Sequence, residues 1–98
     1  MIIRIVRMEF QQEKIVEFHQ IFDESKASIR SFPGCLHLIL HQDAHNSNVR
    51  YTYSHWESEA HLEAYRKSTL FGKVWPRTKQ LFSAKPLAYS LRQLEEVQ

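Results

Sequence analysis

Disulfides are out of reach for this 98-residue chain, because it has a single cysteine, Cys35. One thiol suits a reducing, cytoplasmic setting. Glycine and proline are also scarce, at two and three residues, which excludes fibrous repeats, flexible linkers and glycine-rich phosphate loops. Neither sign of charge dominates. Thirteen Lys and Arg face eleven Asp and Glu, and a net charge of +2 makes too weak a field to expect nucleic acid or an anionic membrane as a partner. No apolar run approaches the roughly 18 residues that span a bilayer. The opening MIIRIVRMEF meets charge every second or third residue, unlike a signal peptide. Aromatic residues, by contrast, are plentiful: six Phe, four Tyr and two Trp. Together with low net charge they argue against disorder. The expectation is one folded domain over residues 1–98. A chain of this size buries only about 60–65% of its unfolded surface, so burial against a second chain would help it considerably.

Residues Ile2 to Phe10 alternate loosely, are rich in β-branched side chains and predict a strand. From Gln11 the period lengthens. Ile15, Phe18, Phe22, Ser25 and Ile29 share one face of a helix of about five turns, which Phe32-Pro33-Gly34 ends. Cys35 to Gln42 reads as a second strand, with Leu36, Leu38 and Leu40 on one face and Cys35, His37, Ile39 and His41 on the other. The polar segment Asp43 to Asn48 is a turn. Val49 to Trp56 is a third strand, with Tyr51, Tyr53 and His55 opposite Arg50, Thr52, Ser54 and Trp56. Ser58 is placed to cap a helix that runs to about Lys67. A second helical stretch extends from Leu70 to Phe82, and Pro76 inside it predicts a kink or a new helix. Lys85 to Leu94 is the last strand.

The order β-α-β-β-α-β predicts an α+β, ferredoxin-like fold: a four-stranded antiparallel sheet with helices on one face. The other face carries Tyr, His and aliphatic side chains. A patch of that kind marks an interface, so a homodimer is expected, with a barrel-like core between two sheets.

Six histidines raise the question of a metal. His37, His41 and His45 are spaced by four, but on a strand four residues span about 13 Å, too far for two rings to share one ion. No HxxE or CxxC pattern accompanies any of them, and no metal is expected. Cys35 and His37 share a predicted strand face, the one nucleophile–base pair that the spacing allows; the alternative is a small packed hydrophobe. Trp56, Tyr65, Phe71 and Trp75 come from the end of the third strand and the helices after it. Such a set suits a flat, mostly apolar pocket between the sheet and the helices, against the alternative of ordinary core packing. Tyr65 and Trp75 each carry a polar atom that needs a partner when buried. Arg77 offers a cation on the same helix.

Phe32-Pro33-Gly34-Cys35-Leu36, His41-Gln42-Asp43, Trp56-Glu57-Ser58-Glu59-Ala60-His61-Leu62 and Ser68-Thr69-Leu70-Phe71 form an ordered set. In it the chain resembles the antibiotic biosynthesis monooxygenase family over nearly its whole length. The resemblance implies a dimeric α/β barrel of ferredoxin-like subunits. For function it implies a monooxygenase that oxidises a small aromatic or quinol with O₂ and no cofactor, the substrate's own carbanion reducing oxygen. Other members degrade haem with a first-strand Asn, a helix Trp and a His ligand. Aligned through Trp56 and Phe71, these fall near Val6, at Tyr65 and at Trp75, so the haem set is absent. His37 and His55 are the candidate catalytic bases. The alternative function is a non-catalytic dimeric barrel that binds a small molecule. An RNA-recognition module shares the element order, but Arg50-Tyr51-Thr52-Tyr53-Ser54-His55-Trp56 lacks the glycines its third strand requires.

Overall fold

A computed structural model describes residues 1–98. The chain runs β1 (Ile2–Glu9), a 3-10 turn (Gln12–Lys14), α1 (Ile15–Arg30), β2 (Cys35–Gln42), β3 (Val49–Trp56), α2 (Glu59–Arg66), α3 (Thr69–Lys79) and β4 (Leu87–Leu91). All strands pair antiparallel in the order β2-β3-β1-β4. This is the expected ferredoxin-like α+β arrangement, its second helical region divided into α2 and α3.

Local chemistry explains where the elements stop. α1 buries Phe18, Ile21, Ser25 and Ile29, one apolar stripe. It ends before Gly34, whose φ of 89° lies where glycine is tolerated and side chains are not. In the turn after β2, the Asp43 carboxylate accepts the backbone N–H groups of His45 (2.9 Å) and Asn46 (3.0 Å). Those bonds hold the Asp43 carboxyl below its usual pKa. Ser58 Oγ caps α2 by accepting from the His61 amide at 3.2 Å, and Ser68 Oγ caps α3 by accepting from Phe71 at 3.1 Å.

Two expectations are corrected. No new helix begins at Pro76; α3 passes through it. The proline is exposed, as is Gly72 four residues before it, so the carbonyl left without an amide partner faces water rather than the core. Cys35 also does not share a face with His37. A register shift between them pairs Cys35 with Trp56 and His37 with His55, which leaves Leu36 as the extra residue of a bulge. Cys35 therefore turns to the helix side, buried with Ile2, Trp56 and Leu62. Its thiol meets the His37 carbonyl, not the imidazole.

Strand parity divides the sheet cleanly. Arg4, Val6 and Met8 of β1 and Thr52, Ser54 and Trp56 of β3 lie under the helices. The other parity forms three cross-strand rows from β2 to β4 on the open face: His37-His55-Ile3-Leu91, Ile39-Tyr53-Ile5-Tyr89 and His41-Tyr51-Arg7-Leu87. Beneath the helices the core is split. One buried cluster joins Met8, Phe10, Phe18, Ile21 and Leu81; the other joins Ile2, Cys35, Trp56 and Leu62.

Candidate functional site

Between the sheet and the helices lies a cavity of about 280 Å³, near the low end of the roughly 300–1,000 Å³ range for small-molecule sites. Its walls draw on both buried clusters, with Met8 and Phe18 from one and Trp56 and Leu62 from the other. Thirteen of nineteen lining residues are hydrophobic, so the site favours a mostly apolar guest. Helical periodicity delivers them. Phe71, Val74, Trp75 and Thr78 of α3 sit at i, i+3, i+4 and i+7, and Leu62, Tyr65 and Arg66 of α2 at i, i+3 and i+4. The sheet supplies the floor from Arg4, Val6, Thr52 and Ser54, and Ala88 of the exposed strand β4 lies at its margin.

A chain of rings links the two clusters along the wall. Trp56 stacks on Tyr65 (4.9 Å between centroids, 23°), Tyr65 meets Phe71 edge-on at 5.2 Å, and Phe71 stacks on Trp75 (5.7 Å, 15°). Trp75 then meets Phe82 edge-on at 5.7 Å. Such contacts add about 0.5–1.5 kcal/mol each beyond burial, and they present flat faces to the space beside them. Trp56 is fully buried, its indole N–H satisfied by Ser54 Oγ at 3.0 Å. Burial pushes the Tyr65 hydroxyl up to about 12, and no hydrogen bond within the chain engages it. It is thus a neutral donor at any physiological pH and no base.

All four aromatic residues singled out by sequence, Trp56, Tyr65, Phe71 and Trp75, meet at this cavity. The two candidate bases do not. His37 and His55 lie on the open face, their rings 4.9 Å apart in an edge-on pair, with the sheet between them and the cavity. An imidazole there is out of reach of a proton on a cavity ligand. Burial, with His37 adding to it, lowers the His55 pKa, and its Nε2 is buried without a partner in this chain. Arg77 also points elsewhere, 3.5 Å from Glu24 at the surface. Cys35 is buried and its thiol pKa pushed up by desolvation, the opposite of an activated nucleophile. No three His, Cys, Asp or Glu side chains gather as a metal site.

Sequence reasoning missed Arg4 and Arg66, the two cations that do line the cavity. The signal for Arg4 was its parity, since it shares a strand face with Val6 and Met8. Arg66 falls one helical turn after Leu62, and its exposed side chain reaches the cavity from the rim of α2.

The antibiotic biosynthesis monooxygenase family model matches residues 1–75. Solved structures superpose closely. One is a conserved protein from Methanosarcina mazei Go1 (TM-score 0.89, 19% identity, covering 95% of this chain and 93% of that one). Another is an antibiotic biosynthesis monooxygenase (0.90, 17%, covering 97% and 100%). A third is Rv0793 from Mycobacterium tuberculosis (0.89, 16%, covering 99% and 98%). No curated protein matches the sequence. At these identities the structural likeness speaks to fold alone, and it extends through β4, beyond the span of the family model.

Proposed function

Because the chain belongs to the antibiotic biosynthesis monooxygenase family, we propose that its cavity binds a small aromatic or quinol-type substrate and oxidises it with O₂ without a resident cofactor. The observation that carries this reading is the ring-lined cavity of about 280 Å³ beside Trp56, Tyr65, Phe71 and Trp75. For a substrate with an activated ring methylene, such as an anthrone, the overall change is balanced as R₂CH₂ + O₂ → R₂C=O + H₂O. The substrate gives up two hydrogens, one oxygen atom becomes its carbonyl, and the other leaves as water. The substrate's carbanion is the reductant; it enters already ionised, its C–H proton having passed to solvent, and a proton taken back from solvent leaves in the water released. The protein's part is to hold the ring flat against the aromatic wall, offer the Tyr65 hydroxyl to a substrate oxygen and keep bulk water out. The wall's donor set agrees with cofactor-free chemistry, since it includes no imidazole, thiol or carboxylate to ligate iron or another metal.

That same lack of a base favours a second reading, a non-catalytic barrel that carries an aromatic ligand. Oxygen uptake separates the two. With anthrone or a substituted hydroquinone, an oxygenase consumes O₂ above the uncatalysed rate, and Trp75→Ala reduces that rate. Saturable binding without uptake across a substrate panel supports the carrier.

We propose also that two copies pair through their open sheet faces. There Ile39, Tyr89, Leu87 and Leu91 are all exposed, and His55 Nε2 lacks a partner in its own chain. No helix is long and apolar enough to cross a membrane, and the apolar face is better suited to a second copy of itself.

A further inference from the structure

The polar groups of the cavity are weighted toward donors and positive charge. Arg4, Arg66 and Tyr65 line it, and no Asp or Glu does. The two arginines are not equivalent. Arg66 already has a counter-charge, donating to Glu63 at 2.8 Å on the exposed side of α2. Arg4 donates only to the neutral hydroxyl of Ser90 at 2.9 Å, half-buried between Ser54 of β3 and Ser90 of β4. Arg50, on the same face of the sheet, is satisfied within the chain. Its guanidinium engages His19 and the carbonyls of Ser47 and Val49. Burial, with the like charge of Arg66, lowers the Arg4 pKa, yet a guanidinium stays protonated. Arg4 is therefore a half-buried cation at an apolar cavity; it feels the charge of Glu63 but forms no ion pair with any carboxylate of the chain, which leaves its guanidinium able to take one from a ligand.

Resting on the reading of this cavity as the ligand pocket, we propose that its ligand is an aromatic anion whose charged oxygen is held by Arg4 while its rings stack along Tyr65, Phe71 and Trp75. A planar guanidinium is suited to two-point binding of a carboxylate or an ionised ring oxygen. The base-free wall fits as well, because a substrate that arrives ionised leaves no proton to be taken at that oxygen. Arg4 would then set specificity, selecting the anion over a neutral ring of the same shape.

The experiment compares 2-naphthoate with 2-naphthamide, which share ring and size and differ in charge, by calorimetric titration at neutral pH. Wild-type protein should bind naphthoate about tenfold more tightly or better, the range expected of a hydrogen bond to a charged group. Arg4→Gln should bring the two compounds to equal affinity without weakening naphthamide. Arg66→Gln, which removes an already paired charge, should keep most of the preference. Equal affinities in the wild type overturn the anion inference while leaving the pocket reading intact, and so does a preference that survives Arg4→Gln. Binding of neither compound overturns both. The wild-type comparison needs no variant, so it decides the matter even if Arg4→Gln fails to fold.

Discussion

Replacing Tyr65 with Phe removes one oxygen from a ring packed among Phe32, Trp56 and Phe71. At neutral pH this should cost little. The hydroxyl makes no hydrogen bond within the chain, so the variant should lie within about 1 kcal/mol of wild type, and on the stabilising side if desolvation dominates. The difference should emerge in alkali. Burial raises the Tyr65 pKa from 10.0 to about 12, so between those values the unfolded chain loses a proton that the folded chain retains. Stability is then full below pH 10 and is lost as pH rises toward 12. Two units correspond to about 2–3 kcal/mol, with about 1 kcal/mol already gone at pH 11. For a domain whose total is on the order of 5–15 kcal/mol, that is readily measured. Urea unfolding of both proteins at pH 8, 10 and 11 provides the comparison, since every other titrating group is common to both. Tyr65→Phe should lose less stability over this interval. Parallel loss in the two proteins would refute the argument, as would a wild-type phenolate absorbance in which all four tyrosines titrate near pH 10.

Gly34→Ala tests the end of α1. An added Cβ would sit at a φ of 89° and overlap the His61 side chain, which Ser58 holds through Nδ1 at 2.7 Å. The expected loss is about 2 kcal/mol or more, read as a lower urea midpoint; an unchanged midpoint would show that the bend relaxes freely. Light scattering at micromolar concentration should give twice the monomer mass, and Tyr53→Asp, at the centre of the open face, should halve it. A wild-type monomer would remove the paired-sheet proposal.

The strands and helices were legible because period and punctuation agree. The β3 alternation from Val49 to Trp56 appears in the structure with its faces as read, since each strand residue turns over the one before. The cap at Ser58 is local too, needing only an amide three residues on. At Cys35 the same logic failed. Alternation assigns Cys35 and His37 to one face, but the bulge at Leu36 adds a residue and inverts the parity before it. Bulges are set by what the strand must pack against, here the Trp56 and Leu62 cluster, and that partner lies far along the chain. At Pro76 the new-helix alternative failed for a related reason: a helix continues through proline where the freed carbonyl faces solvent, and exposure is a tertiary property.

The candidate site divides along the same line. Trp56, Tyr65, Phe71 and Trp75 were recoverable from sequence because they lie within 20 residues on neighbouring elements, where strand end and helical spacing bring them together. The charge of the site was not. Arg4 is 50 residues from Ser54 and 86 from Ser90, and only the pairing of β1 between β3 and β4 sets it at the cavity beside them. Likewise the sheet separates His37 and His55 from the cavity. Composition and periodicity by themselves determined the α+β sheet, its covered and uncovered faces and the aromatic wall, because these arise from short-range geometry. The tertiary structure alone decided which cation meets the ligand space and which histidines cannot, because strand pairing joins residues that sequence distance keeps apart.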